Sequence, residues 1–173
     1  MTDPNVVPDE VVARLKAERK FIPDAPFMEV LKWLPVPTTD FVPVRMNPHT
    51  DKMEFLLAWR TEEPFQNTWF VPGGRMNWGE DVETMCLHHM KRELGLEGLS
   101  PEFLFHHSVI NPASPSRPIW HSIWMFHMIE VPFDLVIKSL AENKEVRWFT
   151  EIKIDFPEPV KTALLKMGFQ MED

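Results

Sequence analysis

The element order of this 173-residue chain predicts an α+β domain, an α/β/α sandwich, preceded by an N-terminal helical extension. Three observations predict it. From Thr39 onward, short apolar runs bounded by Pro, Gly and Asn dominate, as strands require. One long helical pattern, residues 80–94, interrupts them, and another, opened by Pro157, closes the chain. Apolar residues make up 44% and charged residues 25%, a balance that suits one globular core and excludes a disordered chain.

Residues 9–20 read as a short, exposed amphipathic helix. Residues 24–34 read as a second, with Asp24 as N-cap and Pro26 in its first turn. Phe27, Val30, Leu31 and Leu34 form its apolar stripe, and the run Pro35 to Pro37 ends it. Residues 1–36 are thus the extension and 37–173 the domain. Residues 39–46 and 53–60 pair as strands around the turn NPHTDK, with Pro43 expected at an edge or a bulge. A loop, TEEPFQNT, leads to a short strand from Trp69 to Val71 and to Pro72-Gly73-Gly74. After the helix at 80–94, residues 102–110 and 119–131 are strands flanking the loop NPASPSR. Residues 133–141 form a short helix or turn, and 145–149 a last strand. The final helix turns Val160, Leu164 and Leu165 inward.

A formal charge of −8 argues against nucleic acid as a partner, because phosphate-backbone binders present a basic face. It leaves room for a small phosphorylated ligand held by a few arginines. Cys86 is the only cysteine, which excludes a disulfide or a cysteine-based zinc site within one chain and reads as a small core residue. No stretch reaches the ~18 apolar residues of a membrane helix, and no basic segment with an apolar run opens the chain. The expectation is a cytoplasmic protein without a membrane partner.

The run PGGRMNWGEDVETMCLHHMKRELGLEGL carries the chemistry. Gly73 and Gly74 permit a close backbone approach that a side chain would block. Glu80, Asp81 and Glu83 suit the positive end of the following helix, and Gly95 closes it. Glu93 lies in the last turn, where the helix dipole disfavours a carboxylate, so a compensating cation is expected there. His89 and Glu93 stand at i, i+4, a spacing compatible with a shared transition metal or with simple exposure. His121 and His127 share one strand face. Trp33, Trp59, Trp69, Trp124 and Trp148 read as core or dimer interface, and Trp78 and Trp120 as contacts for a base or sugar.

This run resembles the Nudix box, G-x5-E-x7-R-E-U-x-E-E-x-G-U with U aliphatic. Gly74, Glu80, Met90, Glu93, Gly95 and Leu96 fit, six of the nine defining positions. His88, His89 and Arg92 stand where the box has Arg, Glu and Glu. The resemblance implies a Nudix α/β/α sandwich with a mixed central sheet. Within the superfamily the chain resembles the GDP-mannose mannosyl hydrolases over about residues 38–149, sharing WFVPGGR and a single glutamate before LGL. Those enzymes cleave the sugar C–O bond with one Mg²⁺.

That likeness implies Mg²⁺, or Mn²⁺, on Gly73, Glu93 and Glu142. It places diphosphate-binding arginines at Arg60 and Arg75, puts His88 where a third arginine stands, and aligns Asp40 and His107 with a substrate-binding aspartate and a histidine. Substrate contacts are thus expected from Asp40, Arg60, Arg75, Trp78 and His88. The histidine base of that branch falls on Asn143, which cannot take a proton, so Glu142, Glu145 or a histidine of the 106–121 region must activate water. Two functions stay open: a Mg²⁺-dependent hydrolase of a nucleotide sugar, or a non-catalytic domain that binds a nucleotide. Different chemistry on a non-nucleotide phosphate is a third. Analogy with the family adds a homodimer.

Overall fold

The computed structural model describes residues 7, 9–18, 24–140 and 143–172. Two short helices, α1 (Asp9–Glu18) and α2 (Asp24–Leu31), precede the sheet. Its strands are β1 (Val36–Asn47), β2 (Lys52–Arg60), β3 (Thr68–Phe70), β4 (Gly73–Arg75), β5 (Glu102–Asn111), β6 (Trp120–Glu130) and β7 (Asn143–Phe149). Helix α3 (Val82–Leu94) lies between β4 and β5, and α4 (Glu158–Lys166) follows β7. The order across the sheet is β3-β2-β1-β6-β5, with β4 paired to β1 and β7 to β2. β1 and β6 run parallel and every other pair antiparallel, so the sheet is mixed, as expected.

Helices cover both faces. Phe41 and Leu56 join Cys86, Met90 and Leu94 of α3. Their neighbours Val42, Val44, Phe55 and Leu57 join Val160, Ala163 and Leu164 of α4 on the opposite face. Double coverage explains why Phe55-Leu56-Leu57-Ala58 is apolar without alternation. Complete burial of a side chain such as Leu164 contributes about 1.5–3 kcal/mol. Burial also pushes the Cys86 thiol up to about 12, which keeps it an inert core group.

Local chemistry sets the ends of α3. Asp81 caps it, accepting from the Thr84 N–H at 2.8 Å. Gly95, at φ 64°, turns the chain out of the helix while its N–H returns to the Lys91 carbonyl.

Several expectations are corrected. Pro43 lies in a central strand, not at an edge. It is tolerated because β1 pairs with β4 at Thr38–Asp40 and with β2 only from Val44, so its missing N–H faces the gap between two partners. Strand β1 begins at Val36, inside the Pro35–Pro37 run, where its partner Ser122 on β6 is already in register. α2 stops at Leu31, which leaves Trp33 and Leu34 exposed instead of buried. On α4 the buried residue beside Val160 and Leu164 is Ala163, while Leu165 points to solvent. For 133–141 the turn alternative holds: residues 133–134 form a turn, and the described residues between it and β7 contain no helix. No helix of the described residues is long and apolar enough to cross a membrane.

Candidate functional site

A cavity of about 250 Å³ opens where β1, β4, α3 and the loops 61–67 and 112–119 meet. Its walls carry Arg60 from the end of β2, Arg75 from β4, Arg92 from α3 and Arg117 from the β5–β6 loop. Asp40 is the one carboxylate among the described wall residues, and Phe65, Phe70, Trp120 and Trp124 supply aromatic surface.

The glycine pair builds the floor. At Gly73, with φ 148°, a Cβ would lie 2.4 Å from the Thr39 carbonyl oxygen and 2.8 Å from Asp40 Oδ1. Only glycine lets β4 approach Asp40 this closely. Behind Gly74 stands His89, whose ring would meet a Cβ at 2.9 Å. His89 is buried, with Nε2 3.2 Å from the Arg75 carbonyl oxygen, and burial pushes its pKa down to about 4. The neutral ring thus packs helix against glycine strand and is not exposed.

Asp40 is buried and accepts a short hydrogen bond from the Thr38 hydroxyl. Burial pushes its carboxyl up to about 7; the Thr38 bond and Arg60 oppose that, while Glu93 adds to it. Each of two arginines is oriented. Arg60 donates Nε to the Pro64 carbonyl at 2.7 Å and Nη2 to that of Glu63 at 3.2 Å. Arg75 lies over the ring of Phe27 in α2, 4.1 Å from its centroid, so the N-terminal helix supports the cavity.

Of the residues singled out from sequence, Asp40, Arg60, Gly73, Arg75 and His88 line this cavity together. Glu93 stands against it, its Oε1 accepting from the Gly73 N–H at 3.3 Å. Trp120 is also there, whereas Trp78 is 43% exposed and lies off the wall. His107 belongs to a separate cleft with Phe65, Ser108 and Glu158, and contacts Lys166. Glu145 is exposed on β7, 3.7 Å from Arg147. Glu142 lies outside the described residues. Sequence reading misses Arg117, which sits in an irregular loop without periodicity, and the wall position of Arg92. The only signal for the latter is that it replaces a glutamate of the box.

The NUDIX domain family model matches residues 37–167. This chain belongs to the Nudix family. The fold is shared with a MutT/nudix family protein from Enterococcus faecalis at 24% identity and TM-score 0.56, covering 84% of this chain and 57% of that one. The chain therefore spans little more than half the length of that relative. It is also similar to the Nudix hydrolase RenU from M. smegmatis, at 15% identity and TM-score 0.60 over 79% of this chain and 85% of that one. The NUDIX domain of Shewanella oneidensis NrtR, solved with ADP ribose, is 17% identical at TM-score 0.56 over 92% of this chain and 89% of that one.

Nudix hydrolases act on nucleoside diphosphate derivatives and generally use a divalent cation. Among the described residues, the donor set does not fit one. Mg²⁺ asks for several hard oxygen ligands. Here Glu93 Oε1 accepts from Arg92 Nη2 at 2.9 Å as well as from Gly73, and Oε2 accepts from Asn143 Nδ2 at 3.2 Å. Among the described residues, no three His, Cys, Asp or Glu side chains converge. Burial pushes the Glu93 pKa up, and the bonds from Arg92, Asn143 and Gly73 counter it. The compensating cation expected beside Glu93 is therefore present in the chain itself, as a guanidinium.

Proposed function

We propose that this chain hydrolyses a nucleoside diphosphate joined to a second group, a nucleotide sugar of the GDP-mannose kind, by breaking the sugar C–O bond. The observation that carries this reading is the convergence of Arg60, Arg75, Arg92 and Arg117, from four separate segments, on one cavity. A diphosphate presents many acceptor oxygens, and guanidinium groups match them in charge and shape. Phe65, Phe70 and Trp120 offer flat apolar surface for a base or sugar. ADP ribose, the ligand of the NrtR domain, is of the same chemical class.

In the proposed step, water attacks the anomeric carbon, the C–O bond breaks, and the nucleoside diphosphate leaves with the bonding electron pair. The arginines stabilise the charge that gathers on it. Asp40, as the carboxylate on the wall, takes the proton from water. This assignment replaces Glu145 and His107, which lie elsewhere. C–O cleavage suits an arginine-lined site because the demand is for a stabilised leaving group rather than an activated phosphorus.

One observation favours the non-catalytic alternative. The retained box glutamate is already engaged by Arg92, Asn143 and Gly73, so it is a structural tie rather than a reactive group. Incubation with a panel of nucleotide sugars and dinucleotides, followed by phosphorus NMR in oxygen-18 water, separates the readings. Free labelled sugar with intact nucleoside diphosphate supports C–O cleavage. Nucleoside monophosphate with sugar phosphate refutes it in favour of phosphoanhydride chemistry. No turnover, with a nucleotide-dependent rise in melting temperature, leaves the binding domain.

A further inference from the structure

We infer that the diphosphate site of this chain works without a divalent cation, the Arg92 guanidinium standing on Glu93 in place of the metal. This deepens the proposed function, since it rests on the cavity being a diphosphate site. Two observations and the chemistry of the guanidinium group support that role. Arg92 Nη2 lies 2.9 Å from Glu93 Oε1, the carboxylate the family box retains. The same side chain lines the arginine cavity and is 40% exposed, so it reaches both the buried carboxylate and a ligand. A guanidinium carries its donors in one planar fork, so it can hold a carboxylate along one edge and phosphate oxygens along another, bridging the two as a cation would.

The surroundings of Glu93 reinforce the exchange. Its second oxygen accepts from the neutral amide of Asn143. The helix positions before it hold His88 and His89, and His89 is buried against Gly74 rather than turned toward Glu93. Among the described wall residues, four arginines outnumber the one carboxylate, Asp40. A diphosphate meets its charge complement in these guanidinium groups. Net protein charge is −8, so the gathering of arginines here is a local arrangement and not a consequence of composition.

Two measurements on the full chain decide it. Manganese titration followed by the EPR signal of free Mn²⁺ should show no stoichiometric uptake by the wild type. Calorimetric titration with ADP should give an affinity in EDTA within about threefold of that in Mg²⁺. Arg92→Gln should weaken ADP binding about ten- to a hundredfold in EDTA, without rescue by Mg²⁺. Stoichiometric Mn²⁺ uptake by the wild type overturns the inference, and so does ADP binding that needs Mg²⁺. An Arg92→Gln protein that binds ADP normally also overturns it, because a merely structural Arg92–Glu93 pair predicts that result. If neither ADP nor GDP, titrated in the same way, binds in either buffer, the function proposed above falls, while the manganese titration still decides the metal question. If Arg92→Gln does not fold, the two wild-type measurements decide between the outcomes by themselves.

Discussion

Replacing Gly73 with alanine tests whether close backbone approach builds this site. The substitution acts through two separable costs. At φ 148° an L-residue is strained by about 1–3 kcal/mol. The new Cβ would also stand 2.4 Å from the Thr39 oxygen, 2.7 Å from Asp40 Cα and 2.8 Å from Asp40 Oδ1. Two of those atoms are backbone of a central strand, which cannot swing aside, so overpacking adds about 1–3 kcal/mol. The sum is about 2–6 kcal/mol, a shift of about 1–3 M in the urea midpoint for a domain of this size. Gly98→Ala is the control: its φ is 72°, and nothing lies within 4 Å of its would-be Cβ. It should cost only the left-handed strain, about 1–2 kcal/mol. Urea unfolding of both variants with unchanged slope is the assay. Equal losses at the two positions, within about 0.5 kcal/mol, would refute the claim that β4 must press against Asp40.

Asp40→Asn should reduce turnover of any active nucleotide sugar by about 10²–10⁴-fold in a steady-state assay, the usual contribution of a general base. The same variant has a pH signature in stability. The native Asp40 carboxyl, near 7 against an ordinary value of 3.8, binds its proton more tightly than the unfolded chain does, so its burial costs stability as pH rises from about 4 to about 7. The stability gain of Asp40→Asn over wild type should therefore grow across that window, to at most about 4 kcal/mol, and vanish near its acid end; a pH-independent gap in urea midpoints contradicts this. His89 has the opposite sign: its depressed pKa withdraws stability as pH falls from 6.5 toward about 4. Glu54→Ala should cost about 3 kcal/mol in thermal or urea unfolding, because Arg45 Nε lies 2.6 Å from Glu54 with both side chains largely buried. A homodimer through the exposed apolar face of β5 and β6, where Phe103 is 54% exposed near Ile123 and Met125, predicts that Phe103→Glu yields a smaller species in light scattering.

Much of the fold is legible in the sequence because its signals are local. Periodic apolar residues mark α3, the Asp81 and Gly95 caps bound it, and the NPHTDK turn joins β1 to β2. Sequence and structure part where tertiary context overrides local rules. Pro43 reads as an edge residue because a sequence does not reveal that its strand changes partners at that point. Trp33 reads as core because the end of α2 two residues earlier has no strong stop signal before Pro35. The site divides in the same way. Gly73, Asp40, Arg60 and Arg75 fall at positions that the family resemblance aligns, so their convergence is foreseeable. Arg117 reaches the cavity from a loop, and His107 is directed to another cleft after the bulge between Phe103 and Phe105 interrupts the β5 register.

Glu93 has a structural reason to stay in the box whether or not a metal binds there. A carboxylate in the last turn of a helix, buried beneath a sheet, is unfavourable unless its charge is met. Three groups from three elements meet it: the Gly73 N–H from β4, the Arg92 guanidinium from α3 and the Asn143 amide from β7. Two of these contacts fix elements of the cavity wall, β4 and α3, and the third ties in β7, so the carboxylate joins helix, glycine strand and last strand at one point. Removing it would take this acceptor from Gly73 and this carboxylate from Arg92. That tie gives the glutamate a structural reason to persist independent of catalysis. Glu93→Gln separates the two roles. The amide oxygen can keep one donor while the amide nitrogen faces another donor, so the variant should unfold at lower urea by about 1–3 kcal/mol. It should show no change in manganese uptake, because on this reading the wild type has none to lose. A Glu93→Gln protein of wild-type stability that abolishes stoichiometric Mn²⁺ binding would restore Glu93 as a metal ligand.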